Sequence, residues 1–176
     1  MATTTISHTN LGKIQGVSHA DLTQFWGVKY ASLGHRFGAP ELSSTRSPGT
    51  IDATKVGYVS SRPSGDYTWA SANSCDPSRP STIGIPDGCQ AEYGLIQQSL
   101  ETPQMPPPSG TECLNLNITV PKPAGPDAKI PVVVFIHGGA LAGGSANWPQ
   151  YDFASLVQRS IKLGKPFIGV TIKYVI

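Results

Sequence analysis

Five consecutive apolar residues, Val132-Val133-Val134-Phe135-Ile136, four of them β-branched, run directly into His137-Gly138-Gly139-Ala140-Leu141 and then the glycine pair Gly143-Gly144. Side chains of a strand point alternately to opposite faces, so a strand that is apolar at every position needs cover on both faces. That is the pattern of a central strand in a helix-flanked, mainly parallel sheet. Beyond the glycines, Phe153, Leu156, Val157 and Ile161 fall at near-helical spacing between Pro149 and Gly164, with Gly164 placed to stop the helix. Phe167 to Val175 reads as a second strand of the buried type. Strand, glycine loop, helix and strand make a βαβ unit, whose right-handed crossover implies a layered α/β architecture with functional loops at the carboxyl ends of the strands.

Upstream of this unit, polar and apolar residues alternate from Thr3 to Val17 around Thr9-Asn10-Leu11-Gly12, and Gln24 to Tyr30 is aromatic and β-branched. The expectation is a small N-terminal β-hairpin or meander. From about Arg36 to Ser109 the chain is dense in Pro, Ser and Gly, and reads as a long, mostly irregular excursion. From Cys113 to Val120, Leu114, Leu116 and Ile118 alternate with Asn115, Asn117 and Thr119, the period of a strand with one buried face. The fold class expected is therefore α/β: an N-terminal hairpin, a long loop region, then strands of a central, mainly parallel sheet with a crossover helix.

Several function classes fall away on composition. The 176 residues carry 13 Lys and Arg against 11 Asp and Glu, a formal net charge of +2 with no dense basic run, so nucleic acid is not an expected partner. The longest apolar stretch, 131 to 136, is too short for a bilayer, and Met1 to Asn10 lacks the apolar region of a secretion signal, which points to the cytoplasm. Cys75, Cys89 and Cys113 form no Cys-x-x-Cys pair, and the histidines at 8, 19, 35 and 137 are scattered. Neither a metal nor a cofactor is expected.

The glycine loop carries the chemistry. When an ester carbonyl is attacked, negative charge builds on its oxygen, and fixed backbone N–H groups stabilise it in a site with little water. Glycines let the backbone turn and approach the substrate closely. Two other readings of the loop are weaker. Gly138 to Ser145 nearly matches a phosphate-binding loop, but Gly144 stands where the lysine belongs, and Gly138, Gly139 and Gly143 miss the dinucleotide-binding spacing. A merely structural strand-to-helix turn is the plain alternative. His137 is read as orienting the loop rather than as a general base, Asp152 and Glu112 as solvated or capping carboxylates, and Asn117-Ile118-Thr119 as an incidental glycosylation pattern.

Several blocks together resemble the type-B carboxylesterase and lipase family of the α/β-hydrolase superfamily, its fungal members in particular. Leu11-Gly12-Lys13-Ile14-Gln15-Gly16 looks like the family's opening hairpin. Phe25-Trp26-Gly27-Val28-Lys29-Tyr30-Ala31, with His35-Arg36-Phe37, is similar to its Gly-Ile-Pro-Tyr-Ala and Leu-Arg-Phe blocks. Glu112-Cys113-Leu114-Asn115-Leu116-Asn117 resembles Glu-Asp-Cys-Leu-Tyr-Leu-Asn, and Lys165 to Tyr174 resembles the strand that ends in Asn-Tyr-Arg. The resemblance implies ester hydrolysis through an acyl-enzyme, with small carboxylic esters or acylglycerols as substrates. It implies that Gly139 and Ala140 donate N–H groups to the oxyanion while Gly138 makes the turn, Ala140 replacing a glycine but keeping its N–H. It also implies a Cys89–Cys113 disulfide, which would close a loop of about 24 residues and could add roughly 3 kcal/mol in an oxidising compartment.

The departures are equally specific. Hydrolysis by this route needs a Ser on a Gly-x-Ser-x-Gly elbow, then an acid and a His, and no such elbow occurs in the 176 residues. The expectation is an incomplete carboxylesterase-like domain over 1–176, truncated before the nucleophile elbow and inactive alone. The alternative is a non-catalytic remnant or interaction module of the cholinesterase-like family. Strands apolar on both faces but short of neighbours should also leave the product marginally stable.

Overall fold

The computed structural model describes residues 2–36, 38–43, 49–60, 108–122, 124–125, 127–138 and 145–174. Strands β1 (Ala2–His8) and β2 (Gly12–Ser18) pair antiparallel from Ala2↔Ser18 to His8↔Gly12. Between them, His8 Nδ1 accepts the amides of Asn10 and Leu11, and Gly12 takes φ +84°, a left-handed conformation that a side chain would resist. Strand β1 is Thr-rich and exposed, as suits a sheet edge. On β2 a Cβ at Gly16 would lie 2.6 Å from the Phe25 ring, so the glycine makes room for an aromatic core residue.

Strand β3 (Leu22–Lys29) continues the sheet, and its register against its other neighbour slips between Phe25 and Val28. The slip is a bulge at Trp26-Gly27, with Gly27 at φ +65°. The freed amide of Trp26 donates to the Ala53 carbonyl, 2.8 Å away. Short strands β4 (Ala31–Leu33) and β5 (Pro40–Leu42) pair with each other, β6 (Thr50–Asp52) runs parallel to β2, and β7 (Val59–Ser60) pairs with β8 (Pro108–Ser109). The main core sits under β2, β3 and β6: Ile14, Phe25, Val28 and Ala53 are buried, with Leu11, Ile51, Leu116, Ile118 and Val120 packed on them.

Strand β9 (Asn115–Pro121) lies between β3 and β11 (Ile168–Ile172), antiparallel to both, and β10 (Val132–Ile136) pairs parallel with β11. The sheet order is β1-β2-β3-β9-β11-β10, with β6 beside β2. Helix α1 (Ala154–Lys162) connects the two parallel strands and packs toward β9 and β3 with Val157 fully buried. It ends as the sequence suggests: Gly164, at φ +67°, donates to the Ile161 carbonyl and Lys165 donates to that of Ser160, which together form a Schellman cap. The helical stretch expected from Pro149 onward is instead broken into a 3-10 turn (Pro149–Tyr151) and α1. Extended Asp152 lies in the break, its carboxylate taking the Ala154 amide. No helix among the described residues is long and apolar enough to cross a membrane.

Two expectations need correction. The described sheet is mainly antiparallel, because short connections join β1 to β2 and β2 to β3 and hairpins pair their strands antiparallel; the one parallel pair linked through a helix is β10–β11. Strand β10 is also not central here. It is the edge of the described sheet, with Val132 56% and Ile136 66% exposed. An all-apolar strand reports that both faces can be covered, not which segment covers them. Strand β9 departs in the other sense. Its apolar side chains meet the core as expected, yet Asn115 and Thr119 on the opposite face are buried too.

The sheet and helix meet closely at Gly169 of β11, where a Cβ would lie 2.3 Å from the Phe153 ring carbon Cγ. That atom is near the base of its side chain and cannot swing aside. Gly169→Ala is expected to destabilise the chain by about 1–3 kcal/mol through overpacking, seen as a lower urea midpoint at unchanged m-value. An unchanged midpoint would refute the close approach.

Candidate functional site

The glycine loop leaves the sheet at the carboxyl end of β10. Because β10 and β11 run parallel in the register Ile136↔Ile172, the residues that follow them, His137 on one and Lys173-Tyr174 on the other, emerge side by side. His137 is buried, its carbonyl accepts a 2.6 Å hydrogen bond from the Tyr174 hydroxyl, and its imidazole stacks on the Tyr174 ring at 4.5 Å between centroids. Nδ1 lies 3.0 Å from the Gly138 carbonyl oxygen, an acceptor, which assigns the proton to Nδ1. Nε2 is buried and finds no partner among the described residues. Burial lowers the His137 pKa from the ordinary 6.5; the Gly138 carbonyl opposes this and the nearby Lys173 ammonium adds to it. Burial disfavours the charged form of the ring, and the contacts with Tyr174 and the Gly138 carbonyl orient it.

Gly138 is exposed, and its backbone lies outside the left-handed region. A Cβ there would meet nothing within 4 Å among the described residues. Among the described residues, neither a left-handed backbone nor a neighbouring atom calls for this glycine. Gly139 and Ala140 lie outside the described residues.

The chain returns at Ser145, where polar side chains from the sheet gather. Ser145 Oγ accepts the Asn147 amide at 3.1 Å and the Lys173 ammonium at 3.2 Å, and the Lys173 side chain is fully buried. Asn117 of β9 donates to the Ala146 carbonyl and to Asn147 Oδ1, and its own Oδ1 accepts the bulge amide of Gly27. Thr171 Oγ1 is 3.5 Å from the same Ala146 carbonyl. Asn115 donates to the Tyr58 carbonyl, and the Lys173 amide donates to the Asn115 carbonyl. The Asn117 amide, part of the glycosylation pattern, is thus occupied by the fold.

Sequence reasoning passed over Asn117, Ser145, Lys173 and Tyr174. Signals were present: Lys173 is the one charged residue between Phe167 and Val175, and the asparagines alternate on β9. Burying such groups costs free energy unless they are hydrogen-bonded, so they had to have partners. The two carboxylates singled out take structural parts. Glu112 pairs with Lys29, while Asp152 accepts from Gln24 Nε2 at 2.8 Å as well as from the helix amide. Cys113 is a buried free thiol beneath this layer, and Cys89 lies outside the described residues. Burial raises the pKa of Tyr30, with a smaller contribution from Cys113, and the Tyr30 hydroxyl donates to the Lys173 carbonyl at 2.8 Å. Among the described residues no three His, Cys, Asp or Glu side chains gather as metal ligands would.

The lowered pKa of His137 has a consequence for stability. Below 6.5 the unfolded chain binds the proton that folded His137 resists, so stability falls as the pH drops through that value. The slope from this single group is at most about 1.4 kcal/mol per pH unit. His137→Gln should be less stable at pH 8 and should flatten the dependence just below 6.5 in urea titrations. Asp52, whose carboxyl is held low chiefly by its hydrogen bonds from Thr54, acts only below 3.8. Parallel pH profiles for the two proteins would exclude a buried neutral imidazole.

The carboxylesterase family model matches residues 3–175. Lipase 3 of Yarrowia lipolytica is 32% identical over 139 residues, which cover 79% of this chain and 24% of the lipase. The inactive carboxylesterase-like protein VdtD of Byssochlamys spectabilis is 38% identical over 63 residues, 36% of this chain and 11% of that protein. A solved PNB esterase superposes with a TM-score of 0.65 at 25% identity, over 98% of this chain and 28% of the esterase chain. The chain therefore spans about a quarter of the length of the lipase and of that esterase. With an esterase-like fold and a family match along nearly its whole length, the chain belongs to the carboxylesterase family of the α/β-hydrolase superfamily.

Proposed function

We propose that this chain carries the oxyanion-hole segment of a carboxylic-ester hydrolase, with Gly139 and Ala140 donating their backbone N–H groups and Gly138 making the turn before them. The observation that carries this reading is the position of His137-Gly138, at the carboxyl end of a parallel strand and with the histidine stacked on and hydrogen-bonded to Tyr174. A glycine at 138, where a Cβ would meet no described residue within 4 Å, suits a surface that a substrate must approach closely. Hydrogen-bond donors fixed before the substrate arrives are what stabilise a developing oxyanion. The substrates of such a site are small carboxylic esters or acylglycerols, and the Ala140 methyl narrows the space beside the reacting carbonyl.

The 176 residues supply no nucleophile elbow, so the isolated chain is expected to bind the product-like carboxylate without turning over an ester. In amide-resolved NMR, butyrate should shift the Gly139 and Ala140 resonances saturably, while β1 and β2 stay unmoved and p-nitrophenyl butyrate is hydrolysed no faster than in buffer. Absence of any shift at high butyrate would sink the oxyanion reading. A second reading, a non-catalytic interaction module, is favoured by the relative described as an inactive carboxylesterase-like protein. Loss of the carboxylate response in an otherwise folded chain is the outcome that this second reading expects.

A further inference from the structure

We infer that the groove between helix α1 and the edge strand β10 binds an amphiphilic carboxylate, a linear alkyl chain whose head group pairs with Arg159. The groove has a volume of about 420 Å³, inside the range of small-molecule sites, roughly 300–1,000 Å³. Its walls come from β10, the 3-10 turn and α1, so the inference does not depend on the reading of the glycine loop. Topology opens it. Helix α1 packs toward β9 and β3, and β10 is the edge of the described sheet, so apolar side chains of the helix and of the strand stay partly uncovered beside each other.

The lining is apolar with one cation. Phe135, Tyr151, Phe153 and Leu156 form its walls, the rings of Phe135 and Tyr151 lying 4.6 Å apart. On α1, Val157 and Ser160 are buried toward the sheet, whereas Leu156 and Arg159, three residues apart and so on one face, line the groove, Leu156 with 55% of its surface exposed. Two charged groups reach the groove. Asp152 Oδ1 takes the Ala154 amide and Gln24 Nε2, whereas no carboxylate among the described residues pairs with Arg159. A guanidinium presents a planar fork that matches a carboxylate, so a cation beside apolar walls selects an anion with an apolar tail. Gln150 supplies a second polar point: its Oε1 is shielded from water and finds no partner among the described residues. An amide can turn either its acceptor or its donors to a head group, and pairing removes the cost of an unsatisfied buried atom.

The test titrates the whole 176-residue chain with butyrate, hexanoate and octanoate below their micelle concentrations, read by amide-resolved NMR at 150–159 with β1 as the reference. Affinity at the groove is expected to rise roughly three- to fourfold per added methylene, the gain from burying one such group. Octanol, which keeps the tail and loses the charge, should bind roughly five- to tenfold more weakly than octanoate. Arg159→Gln, which keeps helix propensity, should remove that difference and leave octanol affinity unchanged, a selectivity that general destabilisation does not produce. Leu156→Gln should weaken octanoate and octanol alike. Affinity that ignores tail length, octanol equal to octanoate in the wild-type chain, or an unaffected Arg159→Gln variant would overturn the proposal. So would tighter binding of octyltrimethylammonium, which assigns the groove to a cation through Asp152. Shifts at 150–159 on simple dilution would assign it to a second copy of the chain, and binding to phosphatidylglycerol vesicles without binding of free octanoate would assign it to a lipid surface; either result also overturns the proposal. The response of the Gly139 and Ala140 amides is read separately, so the groove and the oxyanion reading stand or fall on different signals.

Discussion

The amide of Asn117 is the point on which the rest of this architecture turns. It lies on the central strand β9 and reaches three backbone or side-chain groups in two other segments: the bulged amide of Gly27 on one side, and the Ala146 carbonyl and Asn147 on the other. An unpaired amide shielded from water would cost more than a hydrogen bond returns, and here one half-buried side chain serves both the bulge in β3 and the Ala146-Asn147 segment. The N-terminal sheet and the region of the candidate site are thereby tied together by polar groups rather than by apolar packing alone.

That tie divides β9 into two working faces. Leu116, Ile118 and Val120 join Ile14, Phe25, Val28 and Ala53 in the apolar core, which supplies the non-directional part of the stability. Asn115, Asn117 and Thr119 form the other face, where hydrogen bonds fix direction. A core can be repacked by substituting one apolar residue for another of similar size, but a buried amide network works only with every member in place. Precision near the glycine loop therefore rests on few residues, with Lys173 and Ser145 closing the network at its far end.

Membership of the carboxylesterase family gives this arrangement its chemical meaning. A glycine loop at the end of a parallel strand is a place where backbone donors could face a reacting carbonyl, and the residue before it, His137, stacks on the Tyr174 ring and accepts its hydroxyl. The oxyanion device and the nucleophile are separate parts of such a site; the proposed reading assigns the first to the glycine loop, and no Gly-x-Ser-x-Gly sequence occurs in the 176 residues.

Much of this was legible in the residues themselves. Alternation marked β1, β2 and the apolar face of β9, an unbroken apolar run marked β10, and Gly164 marked the end of α1, because side-chain period and backbone freedom are local properties that a few neighbouring residues decide. The glycine run after β10 was visible in the sequence for the same reason. Pairing was not. That β10 is the edge of the described sheet, that most of that sheet is antiparallel, that Asn115 and Thr119 on the polar face of β9 are buried, and that Lys173 meets Ser145 all depend on residues far apart in the chain. The sequence by itself determined most of the elements and the family to which the chain belongs. Only the tertiary structure decided which strands became neighbours and which polar side chains had to satisfy one another, because a buried charge or amide takes its meaning from whatever the fold brings within 3 Å or so of it.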